Sequence, residues 1–187
     1  MLEIEMKFPV KDLAGVEKAL RERGARSPEG LDESDHYFNA PDRDFARTDE
    51  ALRVRRIGQA NFVTYKGPRR DKQTKTRTEI EVPLAEGDET ATAFEQLLQH
   101  LGYRPVFVVR KERRIFHLDC PPFHVEACLD RVADLGSFVE LEIVADEKQL
   151  EEAQRTLLAL ADALGLKDSE RRSYLELLLA RQGAKSG

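Results

Sequence analysis

The chain begins with the stretch Met1-Leu2-Glu3-Ile4-Glu5-Met6-Lys7-Phe8-Pro9, in which apolar and charged residues alternate. Because successive side chains of a β-strand leave opposite faces, this stretch predicts a strand with one apolar face and one charged face. Two carboxylates spaced two residues apart, Glu3 and Glu5, lie about 7 Å apart on the charged face. They repel each other unless positive charge lies between or opposite them. Water around an exposed sheet edge or a bound divalent cation would each relieve that repulsion.

The composition limits the class of protein. The chain has 187 residues, of which 41% are apolar and 35% charged, and its net charge is −5. This length predicts one domain, residues 1–182, with a frayed C-terminal tail at 183–187. The small acidic excess argues weakly against nucleic acid as a partner. We find no signal peptide and no apolar run near the ~20 residues that span a bilayer. Cys120 and Cys128 are therefore interpreted as reduced thiols of a cytoplasmic protein.

The order of predicted elements indicates an α+β fold. Helices are expected at residues 12–23, 89–100, 147–164 and 168–180, with Asp12 and Asp88 as caps of the first two. Strands are expected at 1–9, 35–39, 52–57, 62–66, 77–82, 105–117, 123–129 and 138–143, whereas residues 26–34 are expected to form turns. Consecutive antiparallel strands with helices outside predict a barrel or a strongly curved sheet.

Pairs of charged residues at i, i+2 recur along these strands, and each pair is mostly of one sign. The members outside the first strand are Arg53 and Arg55; Arg77, Glu79 and Glu81; Lys111 and Arg113; and Glu140 and Glu142, while Lys66 and Asp130 continue the pattern on their own strands. The solvated outer face of a β-sandwich would carry mixed signs, because like charges on neighbouring strands are destabilising. Segregated signs are better explained by the hydrated lumen of a closed barrel whose apolar faces point outward.

Opposed basic and acidic clusters in one lumen predict a ligand that carries both signs. Lys and Arg donors match phosphate oxygens, and carboxylates match Mg²⁺ or Mn²⁺. The basic residues are too numerous for a single phosphate group. The sequence therefore predicts a triphosphate bound together with a divalent ion.

The same residues resemble a known family. Glu3-Ile4-Glu5-Met6-Lys7 is similar to the N-terminal Glu-x-Glu-x-Lys hallmark of the CYTH superfamily, the triphosphate tunnel metalloenzymes. The resemblance continues in order through segments 52–55, 65–68, 77–81, 111–113, Asp130 and 140–142. Within the superfamily, segments 101–115, 135–140 and 172–174 look most like the bacterial class IV adenylyl cyclases, which are CyaB-like.

The resemblance implies an eight-stranded antiparallel closed β-barrel that forms a triphosphate tunnel, with helices packed outside and frequent homodimers. It implies adenylate cyclase activity on ATP, whereas the superfamily also includes triphosphatases acting on inorganic triphosphate, thiamine triphosphate or nucleoside triphosphates. A non-catalytic polyphosphate- or nucleotide-binding module stays open as a further alternative.

The site implied by the resemblance has two sets of residues. The metal ligands, for Mg²⁺ or Mn²⁺, are Glu3, Glu5, Asp130, Glu140 and Glu142, with a possible second site at Glu79 and Glu81. The triphosphate-binding residues are Lys7, Arg53, Arg55, Lys66, Arg77, Lys111 and Arg113. Glu3, Glu5, Lys7, Lys111 and Arg113 are the predicted catalytic residues. Glu79 and Glu81 would alternatively neutralise Arg77 and its neighbours. In the basic loop at 69–75, Lys72 or Lys75 would reach a phosphate or lie in solvent.

Overall fold

The computed structural model describes residues 2–26, 30–69 and 76–185. The strands are β1 (Leu2–Val10), β2 (Gly30–Asn39), β3 (Ala51–Ile57), β4 (Ala60–Lys66), β5 (Glu79–Leu84), β6 (Arg104–Cys120), β7 (Phe123–Val132) and β8 (Gly136–Ala145). The helices are α1 (Leu13–Glu22), α2 (Phe45–Thr48), α3 (Asp88–His100), α4 (Leu150–Ala163) and α5 (Tyr174–Lys185), and a 3₁₀ turn (Glu147–Gln149) precedes α4.

The eight strands form one antiparallel sheet in the order β1-β8-β7-β6-β2-β3-β4-β5. This arrangement confirms the predicted α+β class and the eight antiparallel strands. Closure of the barrel is not confirmed, because the sheet is a curled half-barrel whose edge strands β1 and β5 are not paired in a ladder. Between these edges, the described residues contain a single isolated bridge, in which Arg77 N donates to Glu3 O at 3.3 Å.

The convex face of the sheet carries the hydrophobic core, as the alternation in β1 predicts. Ile4 of β1, Leu141 of β8 and Val125 of β7 are fully buried there, together with Leu20 of α1 and Leu157 of α4. A second cluster packs α3 against β2 and β3. Burial of the apolar side chains places the charged side chains of the same strands on the concave face.

Several local predictions are corrected by the structure. The side chain of Asp12 caps α1 by accepting from Gly15 N at 3.0 Å, as predicted. Asp88 is not a cap: it is the first residue of α3, and Gly87, with a φ of 96°, occupies the cap position. β2 begins at Gly30, so part of the predicted turn region is strand. Helix α5 begins later than predicted, at Tyr174, and continues to Lys185.

Among the described helices, none has the length and apolar character that crossing a bilayer requires.

Candidate functional site

The concave face of the sheet encloses a cavity of about 630 Å³. Its lining includes most of the predicted site residues: Glu3, Glu5, Arg53, Arg55, Lys66, Arg77, Glu79, Glu81, Lys111, Arg113, Glu140 and Glu142. Lys7 and Asp130 do not line the cavity and are buried beside it, with relative exposures of 1% and 0%. The structure therefore brings carboxylates and cations from separate strands to a common interior.

Lys66 on β4 lies between two carboxylates from the two edges of the sheet. Its Nζ is 3.0 Å from Glu3 Oε1 and also forms an ion pair with Glu79. Burial disfavours ionisation of Glu3, but the charge of Lys66 and hydrogen bonds outweigh it and lower the pKa of Glu3 to about 2. Burial and the hydrogen bond with Glu3 raise the pKa of Glu79 to about 7. Both carboxyl groups thus pair with Lys66, and near neutral pH Glu3 is ionised whereas Glu79 is partly protonated.

Two buried carboxylates on β2, which the sequence analysis missed, hold the basic side of the cavity. Asp35 accepts from Arg55 Nε at 2.7 Å and Nη2 at 2.9 Å, and from Arg53 at 3.3 Å. Glu33 lies 3.1 Å from Lys111 Nζ. Burial raises the pKa of both carboxyl groups, but the neighbouring lysine and arginine charges hold each pKa below its usual range.

The signal for these two carboxylates is present in the sequence. Glu33, Asp35 and Tyr37 alternate at i, i+2 in the same way as the predicted pairs on other strands, and all three line the cavity. Assignment of residues 26–34 to turns concealed this alternation.

Arg113 on β6 connects three strands at the acidic side of the cavity. It donates from Nε to Asp130 Oδ1 at 2.8 Å and from Nη2 to Asp130 Oδ2 at 2.6 Å. It also donates to Glu140, and its Nη1 lies 3.9 Å from Glu142 Oε1. Since a bidentate arginine–carboxylate pair is geometrically specific, Asp130 orients this guanidinium in the wall.

Three carboxylates lie side by side across β1, β8 and β7. The register pairs Glu5 with Glu142 and Glu142 with Glu126. Burial, followed by the negative charge of Glu3, raises the pKa of Glu142 to about 8, and the partial compensation from Arg113 does not offset this. Among the described residues, the positive charge near Glu142 is therefore outweighed by burial and by the neighbouring carboxylates.

Residues before and within α5 contact Lys7, which is buried beside the cavity. Lys7 Nζ donates to the backbone carbonyl of Arg172 and lies 4.1 Å from the centroid of the Tyr174 ring. The hydroxyl of Tyr174 donates to Asp130 Oδ2 at 2.8 Å. The sequence analysis had predicted Lys7 and Asp130 as site residues, but not this link between them through Tyr174.

Residues 1–174 match the family model described as the CYTH domain. The chain belongs to the CYTH family. The resemblance found in the sequence is thereby confirmed, and the match extends from β1 to the first residue of α5.

Proteins similar to this CYTH chain include two with adenylate cyclase names. A Methanocaldococcus jannaschii protein named as a proposed adenylate cyclase is 37% identical over 180 residues, covering 95% of this chain and 98% of that protein. Adenylate cyclase CyaB of Aeromonas hydrophila is 32% identical over 184 residues, covering 94% and 87%. A solved structure from Pyrococcus horikoshii shares 38% identity with a TM-score of 0.84, covering 96% of this chain and 99% of its own.

The carboxylates of the CYTH cavity fit a divalent cation in their chemistry but are not arranged as a finished metal site. Carboxylate oxygens are the donors that Mg²⁺ and Mn²⁺ prefer, and the raised pKa of Glu142 marks an excess of them. In the described part of the chain, however, no three His, Cys, Asp or Glu side chains are close enough together to hold an ion as they stand. Arg113 and Lys66 pair with several of these carboxylates, so metal binding requires an exchange of partners.

The predicted basic loop is described only at its first residue. Arg69 donates from its backbone N to Asp49 Oδ2 at 2.9 Å and from Nη2 to Glu176 Oε1 at 3.2 Å. It therefore links the loop to α5 instead of facing the cavity as a phosphate ligand. Lys72 and Lys75 lie outside the described residues.

Proposed function

We propose that the chain is a divalent-metal-dependent enzyme that acts on a triphosphate and converts ATP to cyclic AMP and pyrophosphate. The observation that carries this proposal is the composition of one cavity wall, which combines cations, carboxylates and apolar side chains. A metal–triphosphate complex supplies both signs of charge. Its phosphates would replace the carboxylates that now pair with the cations of the wall, and its metal ion would replace the cations that now pair with the carboxylates.

The predicted cations would bind the phosphate oxygens: Lys7, Arg53, Arg55, Lys66, Arg77, Lys111 and Arg113. The Nε atoms of Arg53 and Arg77 are buried, and neither has a hydrogen-bond partner among the described residues. A buried donor without an acceptor is costly, and phosphate oxygens are suitable acceptors for guanidinium groups. These two arginines are therefore the best-supported phosphate ligands.

Four of the predicted metal ligands, Glu3, Glu5, Glu140 and Glu142, line the cavity and would hold Mg²⁺ or Mn²⁺, where such an ion would supply Lewis-acid activation of the attacking hydroxyl. Asp130, the fifth predicted ligand, is buried beside the cavity with both oxygens accepting from Arg113, so it would act by orienting that guanidinium. Glu79 contributes chiefly by pairing with Lys66 and Arg53, the latter at 3.8 Å. Glu81 accepts from Thr64 Oγ1 at 2.9 Å. The ion pairs of Glu79 favour neutralisation of cations over a second metal site, and the contact of Glu81 is with a neutral hydroxyl.

Apolar side chains in the lining of the cavity favour a nucleotide over inorganic triphosphate. They are Phe45 of α2, Val106 of β6, and Leu175 and Leu179 of α5. A planar base would bury apolar surface against such side chains, whereas inorganic triphosphate would contact only the charged groups. Ligand pockets are typically lined by apolar side chains with a few polar groups that orient the substrate.

In the proposed cyclisation, the ribose 3′ oxygen forms a bond to the α-phosphorus as the bond from that phosphorus to the bridging oxygen breaks. The hydroxyl proton passes to solvent water, and pyrophosphate leaves with the electron pair of the broken bond. The lysines and arginines of the wall bind the phosphate chain in line for this attack. They also offset the negative charge that develops on the leaving pyrophosphate.

A triphosphatase is the alternative, because the charged groups of the cavity suffice to bind a triphosphate. Water would then attack the terminal phosphorus of inorganic triphosphate, thiamine triphosphate or a nucleoside triphosphate. The bond to the bridging oxygen would break, so the diphosphate portion leaves and the attacked group is released as orthophosphate. A binding module without turnover would use the same charges.

One experiment separates these functions. The protein is incubated with ATP, tripolyphosphate or thiamine triphosphate, each with Mg²⁺ or Mn²⁺, and products are followed by ³¹P NMR and chromatography. Cyclic AMP with pyrophosphate supports the cyclase, and orthophosphate supports the triphosphatase. Binding without product supports the module. Glu5→Gln is the inactive variant, and Lys18→Met, whose side chain is 79% exposed on α1, is the matched surface control.

We also propose that the enzyme acts as a cytoplasmic homodimer, as the family resemblance implies. Light scattering after size-exclusion chromatography tests the dimer, and fractionation of cells tests the location.

A further inference from the structure

The segment before α5 is fixed to β1 by two hydrogen bonds with Lys7, one to its backbone and one from its side chain. Glu170 N donates to Lys7 O at 2.7 Å, and Lys7 Nζ donates to Arg172 O. Helix α5 then begins with a reciprocal capping pair, in which Glu176 N donates to Ser173 Oγ at 3.1 Å and Ser173 N donates to Glu176 Oε2 at 2.6 Å. Such a capping box defines where a helix starts and how the chain enters it. The position of Tyr174 relative to β1 is therefore fixed by its neighbours on both sides.

The ring of Tyr174 lies close to two lysines from different strands. Its centroid is 4.1 Å from Lys7 Nζ and 5.6 Å from Lys111 Nζ. Both distances are within the range of a cation–π interaction, which is stronger in a desolvated site than at an exposed one. Tyr174 is 7% exposed, and the two lysines are 1% and 6% exposed. Both contacts are therefore formed away from bulk water.

The hydroxyl of the same residue reaches the carboxylate that orients Arg113. Tyr174 Oη donates to Asp130 Oδ2 at 2.8 Å, and that oxygen also accepts from Arg113 Nη2 at 2.6 Å. An edge-on contact with Phe138, at 5.1 Å between ring centroids, fixes the plane of the Tyr174 ring. One side chain thus contacts two predicted phosphate-binding lysines and, through Asp130, a predicted phosphate-binding arginine.

We propose that Tyr174 is a positioning residue whose ring holds the ammonium groups of Lys7 and Lys111 in the orientation that binds the triphosphate. A lysine has a long flexible side chain with no fixed hydrogen-bonding plane, so fixing its ammonium before binding reduces the entropy lost when phosphate binds. The hydroxyl, through Asp130, does the same for Arg113. This inference rests on the proposed function, because it assumes that these cations bind phosphate.

A purely structural role for Tyr174 is the competing explanation, because the residue also packs in a cluster with Val109, Val132 and Leu178. Leu178 is 4% exposed and lies four residues along the same helix. Leu178→Ala therefore reproduces the loss of packing and leaves the contacts of Tyr174 with both lysines in place. It is the matched control for loss of the ring in Tyr174→Leu.

The first experiment measures affinity for tripolyphosphate with Mn²⁺ by calorimetry. We expect Tyr174→Leu to bind about tenfold more weakly, which corresponds to about 1.4 kcal/mol. Tyr174→Phe keeps the ring and loses only the contact of the hydroxyl with Asp130. It should bind within about threefold of the wild type, because the face of Phe also attracts a cation. Leu178→Ala should bind like the wild type at temperatures where it is folded. Equal affinity of Tyr174→Leu and the wild type would overturn the proposal.

A double-mutant cycle tests whether the ring acts through the lysine. If it does, Tyr174→Leu should weaken tripolyphosphate binding much less in the Lys7→Gln background than in the wild type, because the effects of mutating two contacting residues are not additive. Additive effects of Tyr174→Leu and Lys7→Gln would contradict positioning.

The second experiment requires no substrate, so it separates this inference from the proposed function. In the wild type with ¹³C-labelled lysine, the Cε protons of Lys7 should show an upfield ring-current shift that Tyr174→Phe keeps. Tyr174→Leu should remove most of it, because the Phe138 ring is farther from Lys7 Nζ, at 5.9 Å. If the wild-type protein binds neither ATP nor tripolyphosphate, the proposed function fails, and this shift still decides whether the ring holds the lysine. Absence of the shift in the wild type would disprove that contact.

Discussion

Lys66 Nζ lies 3.0 Å from Glu3 Oε1, and this ion pair joins β4 to β1 across the part of the half-barrel where the edge strands are not paired in a ladder. Glu3 is also the residue whose carbonyl accepts from Arg77 in the isolated bridge. The cavity is therefore bounded on this side mainly by side-chain charge. A ligand that exchanges with Lys66 or Glu3 would change how the two edges are held together.

Replacing Lys66 by Met should weaken tripolyphosphate binding about 10- to 100-fold, because a hydrogen bond to a charged group contributes about 1.5–3 kcal/mol. The variant keeps the length of the side chain and removes its charge. The pKa of Glu3 should rise from about 2, because Lys66 is the largest influence that lowers it. Calorimetry measures the affinity. Lys18→Met is the surface control, and unchanged affinity of Lys66→Met would exclude Lys66 as a phosphate ligand.

Much of the cavity wall could be predicted because it depends on alternation alone. At residues 2–7 of β1 and 139–142 of β8, apolar and charged residues alternate, so burial of Ile4 or Leu141 determines the direction of Glu5 or Glu142. Such a pattern identifies the faces of a strand from sequence with no knowledge of its partners.

Glu33 and Asp35 were missed for a physical reason. At this part of β2 the outward-facing residues, Asp32 and Ser34, are also polar. The stretch therefore lacks the apolar–polar contrast that marks a strand, although its backbone pairs with β3 and β6. Neighbouring strands, and not local propensity, make this segment extended.

Closure and the position of α5 could not be predicted from alternation. Whether β1 pairs with β5 changes no side chain's face, so the pattern is the same for an open and a closed barrel. Helical periodicity likewise gives no indication that Glu170 N bonds to Lys7 O, which places α5 beside the cavity. Both features depend on contacts between residues far apart in the chain.

The stability of the protein should fall as the pH rises, because of Glu142. Its pKa is raised to about 8 in the folded protein by burial and then by Glu3, whereas an unfolded Glu titrates near 4.3. Between about pH 4.3 and 8 the folded state binds more protons than the unfolded state, so the free energy of unfolding decreases with pH in this range. Glu142→Gln should remove that decrease, and its advantage over the wild type should grow from pH 5 and level off above pH 8.

Urea denaturation in EDTA at several pH values measures this effect without bound metal. Glu151→Gln, at an exposed position in the first turn of α4, is the matched control and should show no such change with pH. A constant difference between Glu142→Gln and the wild type from pH 5 to 9 would contradict the raised pKa.

Asp35→Asn should lower the free energy of unfolding by about 3–5 kcal/mol, because it removes the charged acceptor to which both buried arginines, Arg53 and Arg55, donate. Tripolyphosphate should restore more stability to this variant than to the wild type, since the anion supplies the missing partner. Thermal and urea unfolding with and without tripolyphosphate measure both effects. Asp42→Asn, at a side chain that is 66% exposed and paired with Arg43, should change stability by less than about 0.5 kcal/mol.

Neighbouring residues of β1 should separate folding from function. Ile4 is fully buried among the apolar side chains of the convex face, so Ile4→Ala should lower the free energy of unfolding by about 2–5 kcal/mol. Because its side chain points away from the cavity, the affinity for Mn²⁺ with tripolyphosphate should be unchanged where the variant is folded.

Glu5→Gln should keep the stability of the protein and weaken ligand binding, because Glu5 lines the cavity directly opposite Glu142 on β8. Removing one of two facing carboxylates relieves repulsion, so the variant should be at least as stable as the wild type in EDTA. It should also lose most of the stabilisation that Mn²⁺ and tripolyphosphate give the wild type, which is about 2.7 kcal/mol at 100 times the dissociation constant. Denaturation of both variants with and without these ligands measures the contrast. If Glu5→Gln unfolds while Ile4→Ala loses ligand binding, the assignment of the two faces of β1 is wrong.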